Sequence, residues 1–297
     1  MHDLVLTLYL FMWFMLVGLA ILFILSGLDD LFFDIFYWIR WPYRLWKKRF
    51  YTPLTYEQLL ASPEKAIAVL VPCWQEANII GNMLRHNRSS IDYKNYIFFV
   101  GVYSNDPMTV AEVQAIAAYD KHVYCVIGDT PGPTNKASNL NQLYQASKEL
   151  EAERGEAFDI IVFHDSEDVI HPLSFKLYNH LLPRKDMIQL PVFPLEVPHH
   201  YFTHWLYADE FSENHTKNII VRDALKLHVP SAGVGTAFSR HVITALAEEA
   251  GGRPFEENSL TEDYRTSFRI RAMGFKAIFL TQYVLRTKWI RRGIFKK

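Results

Sequence analysis

The chain has few cysteines, no glycine-rich cofactor turn and no charge excess, and each absence narrows the problem. Cys73 and Cys125 are the only two cysteines in 297 residues. They are too few and too far apart for a disulfide framework or a zinc-type ligand set. They read as small hydrophobes in or beside core strands, which fits a reducing compartment. No Gly-x-Gly-x-x-Gly turn follows a strand-like run, so a dinucleotide cofactor is not expected. A net charge of -1 leaves no positive excess to neutralise a polyanion, which removes nucleic acid as a partner. The twelve histidines include His171, His199 and His200, and none pairs at helical metal-site spacing with a carboxylate base. They read as surface or structural, except His164, which abuts an acidic cluster.

What is abundant is apolar surface: 50% hydrophobic and 15% aromatic residues. Residues 4–25 carry no charged side chain, and a helix of about 20 apolar residues crosses a bilayer. A cleaved signal peptide fits less well, because its apolar core runs about 7–15 residues behind a basic start. Here the start is Met1-His2-Asp3 and the run is longer. Beyond it, Arg40, Arg44, Lys47, Lys48 and Arg49 alternate with Trp38, Trp41, Tyr43 and Trp46. Cationic flanks stay inside and Trp and Tyr favour the interface, so the rest of the chain is expected in the cytoplasm. Residues 28–46 read as an interfacial helix on the headgroups. Asp29, Asp30 and Asp34 argue against a second span, and Pro42 is expected to bend or end that element.

From about residue 64 the pattern changes to α/β. Strands are expected over 66–71, 96–103, 123–127 and 159–164, with helices over 76–87, 109–118, 137–154 and 240–250. That alternation means parallel strands with helices on both faces, and ligands in such sheets bind beyond the carboxyl ends of the strands. Those ends collect Glu76, Asp106, Asp165, Glu167 and Asp168. Massed carboxylates repel unless a cation or hydrogen-bond donors join them, and a hard divalent cation with oxygen ligands answers this. Glu76 and Asp106 could equally be helix caps.

Between the third and fourth strands a Pro/Gly loop breaks into a helix that opens with Lys136, a cation beside free backbone amides that suits a diphosphate. The segment Ser231-Ala232-Gly233-Val234-Gly235-Thr236-Ala237-Phe238-Ser239 is small enough for close approach of backbone to ligand, or for a tight turn before the next helix. Ser259-Leu260-Thr261-Glu262-Asp263 opens a helix reaching about residue 273. By itself that start is an ordinary cap and dipole match.

In this order, the segments resemble family 2 glycosyltransferases of GT-A fold, particularly the cellulose- and chitin-synthase-like branch, over residues 64–281. Asn135-Lys136-Ala137-Ser138-Asn139-Leu140-Asn141 is similar to that branch's Lys-Ala-x-Asn-Leu-Asn. Asp165-Ser166-Glu167-Asp168 stands where its Asp-x-Asp metal motif lies, and Thr261-Glu262-Asp263 matches its Thr-Glu-Asp. Ser26-Gly27-Leu28-Asp29-Asp30, Ser104-Asn105-Asp106-Pro107 and Pro230 to Thr236 carry a nearer resemblance, to inner-membrane components of phage-receptor systems.

The resemblance implies a GT-A domain over 64–284, a Rossmann-like mixed sheet with helices on both faces, behind a membrane-anchoring segment over 1–50. It implies inverting transfer from a nucleotide-diphosphate sugar, with UDP as nucleotide, to a glycan acceptor, in a bacterial inner membrane and with an outer-membrane or envelope partner. By residue it implies Asp263 as base with Glu262 beside it, and Glu76, Asp106, Lys136, Asn139 and Asp165 on the donor. It further implies Asp165, Glu167 and Asp168 on Mg2+ or Mn2+, and Gly233, Gly235 and Thr236 on the acceptor side.

Polymer-forming members carry Gln-x-x-Arg-Trp and later membrane helices. Here Gln282-Tyr283-Val284-Leu285-Arg286 and Thr287-Lys288-Trp289 lack that spacing, and 285–297 is a basic tail. The expectation is a truncated synthase. Two other classes compete: a catalytically silent membrane or receptor component, and a nucleotidyltransferase, which shares the α/β layout.

Overall fold

The computed structural model describes residues 2–50, 52–259, 261–281 and 284–285. The uncharged opening of the chain has no buried partner to face and becomes part of one long helix. This α1 (His2–Lys48) runs 47 residues, about 70 Å at 1.5 Å per residue. It is long and apolar enough to cross a membrane, and it is over twice the roughly 30 Å of a hydrocarbon core.

Pro42 lies inside α1 rather than ending it. A proline removes one backbone donor, and contacts to the domain hold the helix around that point. Lys217 pairs with Asp34, Arg222 lies 5.7 Å from the centre of the Phe33 ring, and Arg40 Nη1 donates to the Ala224 carbonyl at 3.4 Å. The interfacial segment expected over 28–46 is therefore the same helix continued, with one side docked on the domain.

Next come β1 (Leu54–Thr55), α2 (Tyr56–Leu60), β2 (Ile67–Pro72), α3 (Ile80–Ser90), β3 (Tyr96–Tyr103) and α4 (Pro107–Ala117). The middle of the chain supplies β4 (Val123–Gly128), α5 (Lys136–Arg154), β5 (Ile160–Phe163), α6 (Ser174–Leu181) and β6 (Met187–Gln189). Then α7 (Phe202–Glu213) passes through a π-helical turn, Asn214–Asn218, into α8 (Ile219–Ala224). The last elements are β7 (Thr236–Ser239), α9 (Arg240–Glu249), α10 (Glu262–Ala272), β8 (Ala277–Phe279) and β9 (Val284–Leu285). The Gln-x-x-Arg-Trp comparison and the basic tail lie outside the described residues, apart from β9.

Seven strands form one sheet in the order β4-β3-β2-β5-β7-β6-β8, and β1 pairs β9 separately. Strand β7 runs antiparallel to β5 and β6, while the remaining pairs in the large sheet are parallel. Alternate residues of β2 feed opposite faces, as a period of two requires. Ile67, Val69 and Val71 pack with residues of α3, α4 and α6. Ala68 and Leu70 pack with residues of α5 and α9. The sheet is thus covered on both sides, and its open carboxyl edge is left for a ligand.

One ion pair ties the two helices of the second face together. Arg240, at the start of α9, grips Glu151 of α5 with both guanidinium nitrogens, one of them at 2.9 Å, and the Phe158 N–H donates to the same carboxylate at 2.8 Å. Burial alone would raise the Glu151 carboxyl, but Arg240 and the Phe158 N–H outweigh it and hold it below the usual range. A depressed folded pKa gives stability that is present above the unfolded value, about 4.3, and is lost as pH falls through the folded one. Glu151→Gln should cost about 2–3 kcal/mol at pH 7, with the deficit shrinking below about pH 4. Urea unfolding of the whole chain in detergent measures both, and an unchanged midpoint would refute the pairing.

Candidate active site

At the end of β2 the chain turns through Pro72, Cys73, Trp74, Gln75 and Glu76. Gln75 has φ +58, a left-handed backbone that costs a non-glycine residue about 1 kcal/mol. Asp106 holds it there, accepting the Gln75 N–H at 2.7 Å. The other Asp106 oxygen accepts the Thr109 N–H at 3.4 Å and caps α4. The Asp106 carboxylate thus holds the turn with one N–H on each oxygen. Glu76 caps nothing, because the helix expected over 76–87 starts at Ile80. It stays half-buried, and burial, then the charges of Glu167, Asp165 and Asp106, push its carboxyl up.

An aromatic corner that sequence reasoning missed stands beside it. Trp74 meets the Tyr103 ring edge-on at 5.3 Å. A Cβ on Gly132 would come within 2.5 Å of Trp74 and 2.8 Å of Tyr103. The loop is pinned there by two hydrogen bonds between Asn105 and the Gly132 backbone, each 2.7 Å, and by a Tyr103–Thr134 hydroxyl contact of 2.6 Å. The only trace of this wall in the sequence is an aromatic residue at the end of each of two adjacent strands.

Lys136 opens α5 behind the Asn135 cap, whose Oδ1 accepts the Ser138 N–H at 2.7 Å. Its Nζ donates to Asp165 Oδ1 at 2.5 Å. Burial disfavours the ammonium, but Asp165, Glu262 and Asp263 outweigh that and hold it above the usual lysine range. A Cβ on Gly233 would lie 2.9 Å from Asp263 Oδ2 and 3.3 Å from Lys136 Nζ. Four segments therefore meet at one point: the start of α5, the end of β5, the glycine loop and the start of α10. Glu262 is buried there, its carboxyl raised by burial and then by Asp263.

The asparagines of the Asn-Lys-Ala-Ser-Asn-Leu-Asn segment hold this arrangement. Asn141 Nδ2 donates to the Phe255 carbonyl and to Glu257, each at 2.9 Å, and its Oδ1 accepts the Phe255 N–H at 3.0 Å. That clamp delivers the chain into α10. Asn139, expected on the donor, is 2% exposed and packs on Gly101, donating to its carbonyl at 3.2 Å. In this structure the side chain is closed in between α5 and β3, and its Oδ1 is buried without a hydrogen-bond partner.

The acidic loop divides in a similar way. Asp168 Oδ2 accepts from His164 Nδ1 at 2.7 Å and from the Asp165 N–H at 3.0 Å. This closes the loop through Oδ2, and Asp168 lines the same open cleft as Asp165 and Glu167. Among the described residues no three His, Cys, Asp or Glu side chains converge as a ready metal cage. The chemistry of the donor set nonetheless fits a hard cation. Its carboxylate oxygens create enough negative field to raise Glu76 and, after burial, the Cys73 thiol, and such a field favours an oxygen-bound divalent ion.

The glycine loop takes its shape from Gln189 at the end of β6, which sequence reasoning also missed. Its Oε1 accepts from the Ala232 N–H at 2.9 Å and from Thr236 Oγ1 at 2.6 Å, while Nε2 donates to the Val234 carbonyl at 2.9 Å. Thr236 is 0% exposed and supports the loop through Gln189. Gly233 and Gly235 have φ of +73 and +61, conformations that favour glycine. Gly235 borders a cleft of about 1690 Å³ that runs from Asp165 and Glu167 to α1.

The family described as "Glycosyltransferase like family 2" matches residues 63–291. Bacteriophage adsorption protein B of Escherichia coli (strain K12) is 44% identical over 268 residues, 89% of this chain and 36% of that protein. Bacteriophage N4 adsorption protein B of Escherichia coli O157:H7 matches with the same figures. The chain thus spans about a third of the length of these curated relatives. In fold it is similar to mannosyltransferase PcManGT from Pyrobaculum calidifontis, solved with GDP-Man and Mn2+. The TM-score is 0.53 at 18% identity, covering 92% of this chain and 69% of that one.

Gly233→Ala tests the convergence. The new Cβ would crowd Asp263 and Lys136 at a positive φ, and we expect a stability loss of about 1 kcal/mol. The separation of α5 from α10 should also grow, read by distance measurements between spin labels on the two helices. An unaltered distance and midpoint would contradict the contact.

Proposed function

The chain belongs to the glycosyltransferase-like family 2 and has the GT-A fold, and from that premise we propose that it is a membrane-anchored inverting transferase. In this reading it moves a sugar from a nucleotide-diphosphate donor, with UDP as the nucleotide, to a hydroxyl of a glycan acceptor. The amino-terminal part of α1 crosses the bacterial inner membrane, and the basic flank keeps the domain in the cytoplasm. The longer relatives are phage adsorption proteins, which supports a role in an envelope system with an outer-membrane or envelope partner.

The observation that carries the reading is the meeting of Lys136 Nζ and Asp263 Oδ2 around Gly233, with Asp165 on the other side of the lysine. A donor's diphosphate laid along the start of α5 meets a half-buried ammonium and free amides. An acceptor hydroxyl beside Gly233 meets a carboxylate. Asp263 then takes the hydroxyl proton as the acceptor oxygen bonds to the anomeric carbon. The bond from that carbon to the diphosphate breaks on the opposite face, the configuration inverts, and Lys136 faces the charge left on the nucleoside diphosphate. Trp74, Tyr103 and Glu76 border the space for the nucleoside. Asp165 and Glu167 would hold Mg2+ or Mn2+, which when bound neutralises charge on the diphosphate.

Asp263→Asn should keep UDP affinity within about threefold and lower kcat by about a thousandfold. Lys136→Met should weaken UDP binding by roughly tenfold to a hundredfold. Calorimetric titration with UDP and Mn2+, together with a screen of nucleotide sugars read by nucleoside diphosphate release, measures these outcomes. Tight UDP binding with no turnover on any sugar would favour the silent-component reading. Pyrophosphate release would favour a nucleotidyltransferase.

A further inference from the structure

Helices α7 and α8 form one continuous run through the π-helical turn, and α1 docks along its later half. Asp34 pairs with Lys217, Arg40 reaches the Ala224 carbonyl, and Phe36, Tyr37, Ile220 and Val221 line one small cavity between them. Residue number rises along both helices together, so they run in the same direction. The start of α7 therefore points back toward the apolar end of α1.

That start carries an exposed apolar tip. Phe202 is 81% exposed and Leu206 is 72% exposed, with Tyr201 and Leu195 also open. His204 Nε2 donates to the Leu195 carbonyl at 3.0 Å, which ties the preceding loop to the helix. Among the described residues nothing covers this tip, and grouped large apolar side chains in the open mark a contact surface. Phe202 and Leu206 begin a helical face that continues with Asp209, Glu210 and Glu213, all exposed. The opposite face, with His204, Tyr207, Phe211 and His215, lines the cleft.

The level of the tip identifies its partner. Leu206 precedes Lys217 by eleven residues, about 16 Å of helix, and Leu25, at the end of the long apolar run, precedes Asp34 by nine, about 14 Å. Acids follow within about one turn on both helices, Asp29 and Asp30 on α1, Asp209 and Glu210 on α7. The two helices thus change from apolar to acidic at a shared level. The edge of a bilayer imposes such a level, because hydrocarbon excludes carboxylates from any helix that enters it. A protein partner seated on α7 alone would not have to match α1. Residues 3–32 of α1 are all exposed, so the helices splay apart on the membrane side and the tip enters at a slant.

We propose that the start of α7 is a second bilayer contact, with Leu195, Tyr201, Phe202 and Leu206 dipping into the hydrocarbon edge beside the emerging anchor. This contact rests on residues 4–25 crossing the membrane and on nothing about sugar transfer. It seats one wall of the cleft at the membrane surface, since the other face of α7 lines that cleft.

The test uses the whole chain, one copy per nanodisc of phosphatidylcholine and phosphatidylglycerol, with single spin labels on introduced cysteines. Cys125→Ala removes the partly exposed native thiol, and Cys73 is buried. Labels at Phe14→Cys, Tyr119→Cys, Phe202→Cys, Leu206→Cys and Glu210→Cys are read by collision with oxygen, which enters lipid, and with a nickel chelate, which stays in water. The labels at 202 and 206 should favour oxygen and lie within about 5–10 Å of the headgroup boundary. The label at 14 should lie deeper, and those at 119 and 210 should favour nickel. Phe202→Asp should move the label at 206 into the reach of nickel, because a charge is costly in hydrocarbon. Labels at 202 and 206 as open to nickel as that at 119, with the label at 14 immersed, would overturn the contact. Shielding of 202 and 206 from both reagents would put a protein segment on the tip and overturn it as well. A label at 14 within reach of nickel would instead defeat the anchor, and the contact with it.

Discussion

A sheet edge that gathers Glu76, Asp165, Glu167, Glu262 and Asp263 cannot close on itself without a cation, and Lys136 is the cation the chain supplies. Its Nζ touches Asp165 directly and feels the charges of Glu262 and Asp263. Burial should weaken that ammonium, but the surrounding acids hold it charged. Everything else near the edge serves to bring four separate chain segments to this one nitrogen. The remaining negative field, visible in the raised Glu76 carboxyl, is the reason a hard cation and a diphosphate suit the place.

The supporting structure is mostly buried amide chemistry. Asn141 ties the loop before α10 to α5, Asn139 seats α5 on the glycine of β3, and Gln189 shapes the loop that holds Gly233 and Gly235. Asn141 and Gln189 pair backbone groups where the sheet ends, while Asn139 shares the Gly101 carbonyl with the Cys73 N–H. Asp106 and Asp168 do similar work with carboxylates, the first holding Gln75 in its left-handed turn and the second closing the acidic loop on His164. Polar residues at a sheet edge thus divide into those that build the edge and those that face a ligand.

The anchor and the domain are connected by more than a tether. One face of the later half of α1 docks on the domain through Asp34, Arg40 and Phe33, so the helix that is long and apolar enough to cross a membrane also walls the cleft. A proline at position 42 does not interrupt it, because the lost donor is a local cost and the docking contacts hold the turns just before it.

Much of this was legible in the residues alone. Periodicity located β2 to β5 within a residue or so, because continuous apolar runs ending at proline or acids have few other folds. The order of strand-end acids, a lysine-opened helix and Thr-Glu-Asp pointed to the family. Legibility failed for β6, β7 and β8, which are three or four residues long and carry no pattern that survives such brevity. It did not extend to the surroundings of Asn139, Thr236, Asp106 and Asp168, because a polar letter does not say whether its side chain is buried. The sequence by itself determined an apolar helix, a layered α/β domain and the set of charged residues at its edge, since these depend on local composition and spacing. Only the tertiary structure decided which acids stay open and which are consumed in turns, and that α1 bounds the cleft. Burial and hydrogen-bond partnership are set by segments far apart in the chain, as Lys136 among Asp165, Glu262 and Asp263 makes plain.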